Sequence, residues 1–434
     1  MEVILDQKDA AGWIYRGEGA GNLVLAYTGS SPTFTGKVMR IQKALRNKKP
    51  KEPLTLCANG GSIFEKHERL LWRDNKELVS SSSKEILERL YVEEIMSPLL
   101  GAKYVDAGMR VRVTRGFLDL DSVLLLSDHT LFPQGILKGE PCIAVEIKPK
   151  CGFLPISRFI AKQNAIKRST SRFKMHQALK LCDQEISELS EYDPLDLFSR
   201  SKERICKAIK ALYTTPQNNF RVFLNGSLIF GGLGGGTGRT SFAIGEAFED
   251  ALKCVIQADD GLRTNSFIQL VAETVYQAGI LDRLLEVQKL DNFDIEGAIH
   301  AYYNIISQPC KVCRELDEEN VNLCTSLHSI PLDESLKIVK DYFIAATAKD
   351  CSLMICFRPK HGDVSGYYDS VYLHSTNQAF DYKACFIDLD LKPFKKMEDY
   401  YVKDKKIASC YLQMVNMNQG VNKAITTNAC GNAH

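Results

Sequence analysis

The hydrophobic pattern of this sequence changes near Pro155, and the change limits the folds that the chain can adopt. Before it, residues 12–43 consist of short β-prone runs separated by glycine- and proline-containing turns, which predicts a β-meander. Beyond it, apolar residues recur at helical spacing, as in residues 267–276 and 280–287, which predicts amphipathic helices. Strand-like runs return at residues 221–224, 227–229, 353–357 and 384–389. We therefore predict an α+β fold with a β-rich N-terminal lobe, a larger mixed C-terminal lobe and a cleft between them.

The composition excludes several classes of protein. The net charge is only +2 over 434 residues, so any basic site must be local and non-specific binding of nucleic acid is not expected. No apolar run approaches the ~20 residues that span a bilayer, and the N-terminus lacks the features of a secretory signal. Most of the 14 cysteines, such as Cys254, Cys356 and Cys385, stand singly in apolar segments, which favours free, buried thiols. We expect a monomeric protein of the cytoplasm or nucleus that binds neither nucleic acid nor membranes.

Residues 146–155 are predicted to lie at the end of a strand, which would hold their charged side chains in fixed positions. The residues before it are apolar and β-prone, and side chains alternate along a strand, so Glu146, Lys148 and Lys150 should share one face. Pro149 removes a ladder donor and marks the end of the strand or an open edge. Two lysines and a glutamate that project together indicate phosphate and nucleotide binding. A solvated strand end is the alternative for this feature taken alone.

Two glycine-rich segments receive different interpretations. Gly17, Gly19 and Gly21 precede a strand-like run, so we expect a hairpin, either folded over nucleotide phosphates or serving as a plain turn. Arg40, on the next strand, is a candidate phosphate-contacting cation, with a surface arginine as the alternative. The run at 231–240 does not fit the P-loop pattern, because leucine replaces the first glycine and arginine replaces the lysine. A flexible loop is the better interpretation.

Two aspartates lie at turns next to predicted strands. Residues 333–347 are predicted to form a helix, and Asp350 lies between this helix and the strand at 353–357. A carboxylate in this turn can accept a proton from a substrate hydroxyl. Asp388 follows the strand at 384–387 and can hold Mg²⁺, which prefers hard oxygen ligands. The pair is typical of the base and the metal ligand of kinases, with turn-capping aspartates as the alternative.

A basic segment follows Asp388. Pro393 suits the first turn of a helix, and Lys392, Lys396 and Tyr400 recur every four residues, so a short helix would present them on one face. A solvated basic helix is the usual meaning of such a run. Its position directly after a metal-binding aspartate favours a polyphosphate-binding face.

Cysteines and histidines with metal-binding spacing occur once in the C-terminal half. Cys310 and Cys313 form a C-x-x-C pair between His300 and His328, and thiolates and imidazoles are the ligands that zinc prefers. The spacing is non-standard, and Cys324 competes with either histidine for the fourth position. Structural zinc is favoured over a plain pair of reduced cysteines.

Several blocks of this sequence resemble one known family. They include EIKPKCGFLP at 146–155, SRFKMHQ at 171–177 and NNFRVFLNG at 218–226, and the resemblance runs from residues 13–19 to residues 392–398. The family is that of the inositol-pentakisphosphate 2-kinases, in particular its plant members. The resemblance implies a two-lobed kinase-like fold. It also implies ATP-dependent phosphorylation of the 2-hydroxyl of inositol 1,3,4,5,6-pentakisphosphate, which gives inositol hexakisphosphate, or phytate.

The same resemblance implies lobes and roles for individual residues. A nucleotide-binding lobe would span residues 1–128, and residues 129–434 would carry the inositol-phosphate region, the zinc site and the catalytic aspartates. Asp350 would be the general base, Lys148 would bridge toward the transferred phosphoryl group, and Asp388, helped by Asp390, would hold Mg²⁺. The implied ATP-binding residues are Gly19, Gly21, Asn22, Arg40, Asp128, His129, Glu146 and Met354. The implied substrate-binding residues are Lys150, Arg172, Lys180, Asn219, Lys392, Lys396 and Tyr400. The implied zinc ligands are His300, Cys310, Cys313 and His328.

The chain departs from the plant pattern at one place. Related plant chains carry a longer basic insertion before the strand at residues 123–126, whereas here residues 117–121 run almost directly into it. A phosphate contact and part of a substrate-closing clamp are therefore expected to be missing.

Two alternatives to a kinase come from other classes. A non-catalytic inositol-phosphate sensor on the same scaffold would not need both Asp350 and Asp388. A zinc-containing nucleic-acid binder should have a broad basic surface interleaved with aromatic residues, whereas the cations here accompany acidic, metal-binding residues.

Overall fold

The computed structural model describes residues 4–18, 21–43, 62–114, 118, 122–132, 140–231, 242–316, 318–360 and 368–429. Within these residues the predicted α+β class is confirmed, with two six-stranded sheets and helices that pack mainly on the second sheet. Gly19, almost all of the glycine-rich run at 231–240 and most of the shortened segment at 117–121 lie outside them.

The first sheet contains the predicted meander. Its strands are β1 (Ile4–Leu5), β2 (Trp13–Glu18), β3 (Asn22–Tyr27), β4 (Lys37–Gln42), β5 (Met109–Val113) and β6 (Ser122–Ser127), in the order β1-β5-β6-β4-β3-β2. Antiparallel pairing of β2 with β3 confirms the hairpin predicted for the glycine-rich segment. Trp13, Tyr27 and Phe34 pack against one another in a small apolar core that belongs to this sheet.

The second sheet is the centre of the molecule. Its strands are β7 (Ile143–Ile147), β8 (Phe220–Leu224), β9 (Ser227–Phe230), β10 (Ser352–Pro359), β11 (Asp369–Leu373) and β12 (Gln378–Ile387), in the order β11-β12-β10-β7-β8-β9. Neighbouring strands are antiparallel throughout. Strand β10 is apolar without alternation because both of its faces are covered. Leu353, Ile355 and Phe357 face the main core, and Met354 and Cys356 face a second, smaller cluster.

The helices surround the second sheet. They are α1 (Lys66–Leu71), α2 (Lys76–Val79), α3 (Lys84–Tyr91), α4 (Ser97–Leu100), α5 (Arg172–Cys182), α6 (Pro194–Leu197), α7 (Lys202–Thr214), α8 (Phe242–Ala251), α9 (Arg263–Ala278), α10 (Ile280–Gln288), α11 (Asp294–Ile306), α12 (Glu318–Thr325), α13 (Leu332–Ala348) and α14 (Met397–Ala429). The helices predicted at 267–276, 280–287 and 333–347 are therefore confirmed as α9, α10 and α13. None of the described helices is long and apolar enough to cross a membrane.

Helices α1 to α4 connect the two parts of the fold. They precede residue 128, yet Trp72, Leu90 and Tyr91 lie in the main core around the second sheet. Helix α3 begins at Ser83, whose hydroxyl accepts from the amide of Ile86, and it also contacts β5 and β6 of the first sheet. The N-terminal sheet is therefore attached to the rest of the molecule by packed helices.

One buried lysine holds together three elements of the C-terminal part. Lys167 Nζ donates to Asp294, to Glu296 Oε1 at 3.0 Å and to Asp404 Oδ2 at 2.7 Å, and all four side chains are buried. Asp294 and Glu296 belong to α11 and Asp404 to α14, so the lysine compensates carboxylates from two helices. Removing it would leave charges that burial makes costly.

We expect Lys167→Met to lower the free energy of unfolding by about 3–5 kcal/mol, because three buried carboxylates lose their cation. Urea denaturation of the variant and the wild type measures the difference. Lys210→Met, at an exposed position of α7, is the control and should stay within about 0.5 kcal/mol of the wild type. A loss below about 1 kcal/mol for Lys167→Met would contradict this expectation. It would show that protonation or hydration of the three carboxylates replaces the lysine at little cost in the free energy of unfolding.

Candidate active site

Strand ends from distant parts of the sequence meet at one edge of the second sheet. Strands β7 and β12 end where β10 begins, because Ile147 pairs with Leu353 and Ile387 pairs with Ser352. Lys148 therefore follows β7, Asp350 precedes β10 and Asp388 follows β12 at the same edge. The backbone amide of Lys148 also donates to the carbonyl of Asn219, just before β8, at 2.9 Å. The two predicted catalytic residues and the predicted metal ligand are thus brought together.

Two lysine–aspartate pairs organise this edge. Lys148 Nζ lies 3.5 Å from Asp388 Oδ2, and Lys392 Nζ donates to Asp350 Oδ2 at 2.6 Å. Burial acts to raise the pKa of Asp350, but Lys392 and Lys150 outweigh it and the pKa is lowered. Asp350 is therefore an ionised hydrogen-bond acceptor at the mouth of the site.

The backbone at this edge is turned in two places. Lys150 and Asp388 have φ values of 60° and 61°, in the left-handed region that side chains other than glycine rarely adopt. Gln288 holds the first turn, since its side chain donates to the carbonyl of Lys150 at 2.8 Å and accepts from the amide of Gly152 at 2.8 Å. The prediction that Lys150 continues the alternation of the strand is therefore wrong. It reaches the side of Lys148 through a turn instead.

A group of basic side chains lines the region beside this edge. Arg172, His176 and Lys180 recur every four residues along α5 and share one face. Burial and the cations around it, Lys148 and Lys180, lower the pKa of Lys150 to about 8. Burial, followed by Arg172, Lys403, Lys180 and Lys150, lowers the pKa of His176 to about 3. Burial is the largest cause of both shifts, and the neighbouring cations add to it because several positive side chains lie close together here.

Sequence reasoning missed two members of this group of basic side chains, the neutral His176 and the cation Lys403. His176 stands inside the block at 171–177, and its place four residues from both Arg172 and Lys180 was the available signal. Lys403 joins the group from α14, and its local sequence gives no comparable signal. Arg172 is itself held by a charge pair with Asp404, which also binds Lys167. The position of the arginine thus depends on the buried network.

Arg40 connects the first sheet to the catalytic edge. Its guanidinium donates to Asp390 Oδ1 at 2.5 Å and to Oδ2 at 2.6 Å. With the side-chain amide of Asn22 oriented so that its oxygen faces Arg40, this oxygen accepts from the same guanidinium at 2.6 Å. The carbonyl of Asp390 accepts from Thr347 Oγ1 at 2.9 Å, so α13 fixes this loop from behind. Arg40 is therefore not a plain surface arginine.

The predicted nucleotide residues of the second sheet form a wall with a polar and an apolar part. Glu146 is buried and accepts from Arg221 Nη1 at 3.1 Å and from Ser352 Oγ at 3.0 Å. Met354, opposite Glu146 across β10 and β7, lies in an apolar patch with Leu131. Further members of this patch are Phe132, Cys142, Ala144 and Phe223.

Asp128 and His129 lie where the chain passes from the first sheet to the second. Asp128 accepts from Arg16 Nη2 at 2.8 Å and from the amide of Thr130 at 3.0 Å. His129 Nε2 lies 3.3 Å from Asp106 Oδ2. Both carboxylates thus stiffen the connection between the sheets.

The basic segment after Asp388 differs from its prediction. Pro393 does not begin an α-helix; a 3-10 turn, Phe394–Lys396, comes first, and α14 starts at Met397 and continues for 33 residues. Lys392 and Lys396 both lie before α14, so the three predicted residues do not share one face of an α-helix. Lys392 reaches the site through its bond to Asp350, whereas the side chain of Lys396 is exposed. Tyr400 is half-buried against the rings of Tyr342 and Phe343.

The four predicted zinc ligands come together away from the catalytic edge. Candidate ligand atoms of His300, Cys310, Cys313 and His328 all lie within 4.8 Å of one another. His300 Nδ1 is 3.1 Å from His328 Nε2 and 3.5 Å from the sulfur atoms of both cysteines. Two thiols and two imidazoles at this spacing match the donor set and compactness of a tetrahedral zinc site. Cys324 is not part of this group.

Comparison with known proteins identifies the family. The sequence model of the inositol-pentakisphosphate 2-kinase family matches residues 15–122 and 118–406. An inositol-pentakisphosphate 2-kinase of Arabidopsis thaliana is 60% identical over 95% of this chain and 95% of its own length. One of Oryza sativa subsp. indica is 50% identical over 95% of this chain and 96% of its own, and one of Danio rerio is 28% identical over 94% and 95%. The chain belongs to the inositol-pentakisphosphate 2-kinase family and has its two-lobed, kinase-like fold.

We expect the stability of the protein to depend on pH through His176. A free histidine has a pKa of about 6.5, so below that pH the histidine of the unfolded chain binds a proton. His176 in the folded protein does not bind this proton, because its pKa is lowered to about 3. The free energy of unfolding therefore falls as the pH falls. His176→Gln removes this proton uptake. Its unfolding free energy should therefore improve relative to the wild type by up to about 1 kcal/mol per pH unit between about pH 6.5 and pH 5.

Urea denaturation at several pH values measures this difference. His374→Gln, at an exposed position, reports the effect of removing a surface imidazole. A difference between His176→Gln and the wild type that does not change with pH would contradict the assignment of a neutral, cation-surrounded His176.

Proposed function

We propose that this protein transfers the γ-phosphoryl group of ATP to the 2-hydroxyl of inositol 1,3,4,5,6-pentakisphosphate and forms inositol hexakisphosphate. The observation that carries the proposal is the meeting of Lys148, Asp350 and Asp388 at one sheet edge beside a concentration of cations. A substrate with five phosphates needs many positive partners, and phosphoryl transfer depends mostly on positioning and charge neutralisation. The names of the relatives agree with this substrate and position.

Asp350 is proposed as the general base. Its carboxylate is held ionised by Lys392 at 2.6 Å and lies in the turn before β10, open to solvent. It can therefore accept the proton of the substrate hydroxyl while Lys148, at the end of the adjacent strand, stabilises the charge of the transferred phosphoryl group. Lys392 then serves both to keep Asp350 ionised and to meet a phosphate of the substrate.

Asp388 and Asp390 are proposed to hold Mg²⁺ with ATP. Carboxylate oxygens fit this ion, and the Asp388 side chain is half-exposed at the catalytic edge. When bound, the ion would supply positive charge that compensates the phosphate groups during transfer. Both oxygens of Asp390 accept from Arg40 here, so Asp390 would be available as a ligand only if Arg40 contacted the nucleotide instead. Asp388 would therefore be the principal ligand.

The nucleotide is proposed to lie between the first sheet and the apolar patch around Met354. Gly19, Gly21, Asn22 and Arg40 would cover its phosphates from the β2-β3 hairpin and β4. Glu146 would lie beside the base on the second sheet. Asp128 and His129 would act through the connection between the sheets, because hydrogen bonds within the protein already engage the carboxylate of Asp128.

The substrate phosphates are proposed to contact the cations of the second lobe. These are Lys150, Arg172, Lys180, Lys392 and Lys396, with Lys403 added by its position and with Asn219, Tyr400 and the neutral His176 as uncharged partners. The alternative, a non-catalytic sensor of inositol phosphates, would need these cations but not an ionised Asp350 beside Lys148 and Asp388. The geometry therefore favours the kinase.

Structural zinc is proposed at His300, Cys310, Cys313 and His328. The donor set and its compactness support zinc, which needs no open coordination position in a structural site. His300 belongs to α11, and His328 lies just before α13, the helix that leads to Asp350. The ion would thus fasten two core helices to each other.

Asp350→Asn tests the chemistry. It should lower kcat by at least about 10²-fold, because the amide cannot accept the proton, while ATP binding is retained. Formation of inositol hexakisphosphate is followed by anion-exchange chromatography, and nucleotide binding by calorimetry. Asp333→Asn, at the exposed start of α13, is the matched control and should behave as the wild type. Near wild-type turnover of Asp350→Asn would exclude Asp350 as the base.

Zinc content tests the metal proposal. Elemental analysis of protein purified without chelator should give about one zinc per chain, lost in Cys313→Ser and retained in Cys324→Ser. Removal of the metal should lower the melting temperature but leave kcat of the folded protein close to its original value, since the length of α13 separates His328 from Asp350. Protein without zinc, or equal loss from both variants, would contradict this ligand set.

A further inference from the structure

Two cysteines meet at the junction of α5 and α14. Cys182 is the last residue of α5 and is exposed, and Cys410 is half-buried on α14. Their sulfur atoms are 3.1 Å apart, although 228 positions separate them in the sequence. A disulfide needs about 2.0 Å, so the two thiols are already in contact and only about 1 Å from bonding distance.

The surroundings hold the two helices together at this point. Met175 and Leu179 of α5 pack with Ile407 of α14 in a small apolar cluster. On the other side, Lys406 Nζ donates to both oxygens of Asp183, at 3.1 Å and 3.0 Å. The thiols therefore face each other on a packed helix pair, and bonding them requires no separation or sliding of the helices.

The other cysteines in the described part of the chain have different environments. Cys142 and Cys356 both lie against the carbonyl of Thr130, but they are buried in the apolar patch, out of reach of an oxidant. Cys310 and Cys313 belong to the proposed zinc site. Cys254 is exposed, and its sulfur contacts the carbonyl of Ala251. Exposure and a thiol partner are combined at Cys182 and Cys410.

We propose that Cys182 and Cys410 form a redox modification site, which a low-molecular-weight disulfide such as oxidised glutathione converts to an intramolecular disulfide. The thiolate of exposed Cys182 attacks the oxidant, and one glutathione thiolate leaves. The thiolate of Cys410 then attacks the sulfur of Cys182 and releases the second glutathione. Two protein thiols are oxidised by two electrons, and the glutathione disulfide is reduced to two thiols that take up the two protons.

The bond would fasten two helices that carry like charges. Burial is the largest cause of the lowered pKa of Lys180 on α5; Glu185 acts to raise this pKa, and repulsion from Lys403 of α14 lowers it further. Cys182 lies two residues beyond Lys180. A covalent link at this end of the junction opposes the repulsion and also restricts the unfolded chain by closing a long loop.

The test uses the full-length, metal-containing protein in buffers of reduced and oxidised glutathione. Alkylation, digestion without reduction and mass spectrometry should find a peptide that links Cys182 to Cys410, about 2 Da lighter than its separate parts and released by dithiothreitol. Oxidation should raise the melting temperature by about 3–8 °C. Cys182→Ser and Cys410→Ser should show no rise, and Cys254→Ser should behave as the wild type.

Three results would overturn the proposal. The first is a glutathione adduct on Cys182 without the linked peptide, and the second is alkylation of both Cys182 and Cys410 to the same extent in the oxidised buffer as in the reduced one. The third is a rise of the same size in Cys182→Ser. None of these measurements uses substrate turnover, so they are independent of the proposed function.

Discussion

The antiparallel pairing of β10 with β7 and β12 is the constraint on which the active site depends. It places the end of two strands and the beginning of a third at one edge, and Lys148, Asp350 and Asp388 follow from that register. A shift of one residue in either pairing would exchange the side chains that β10 presents to the main core, such as Phe357, with those that it presents to the smaller cluster, such as Cys356, so residues of the wrong size would enter each. Burial of β10 on both sides therefore fixes the catalytic geometry indirectly, through the cost of misplacing its side chains.

The site is organised as ion pairs between cations and carboxylates. Lys148 meets Asp388, Lys392 meets Asp350, Arg40 meets Asp390 and Arg172 meets Asp404. In the absence of a ligand, these pairs compensate the charge of cations that are buried or half-buried. An isolated charge in the same place would be costly to bury. Beyond them, burial and, after it, neighbouring cations lower the pKa values of Lys150 and His176. Under the proposed function, a polyphosphate would compensate these cations and accept charge-assisted hydrogen bonds from them.

The contacts that hold the helices around the site in place are made by residues outside the site itself. The buried Lys167 joins the turn before α5 to α11 and α14, and through Asp404 it holds Arg172. The His300–His328 cluster joins α11 to the start of α13. The thiols of Cys182 and Cys410 meet where α5 packs on α14. All three connect helices that present cations or catalytic residues, so the stability of the helix layer and the geometry of the site are coupled.

The sequence by itself determined the elements and the chemical types of the site. Its periodicity located the meander, β10 and α13, and its blocks identified the family, because these signals are local. The tertiary structure decided the partners, such as Asp390 for Arg40 and Asp350 for Lys392. It added His176 and Lys403 to the group of basic side chains, turned Lys150 out of the strand and moved the start of α14 beyond Lys392. The reason is physical: helix and strand periods describe neighbours within a few residues, whereas contacts across hundreds of residues depend on sheet register and helix packing.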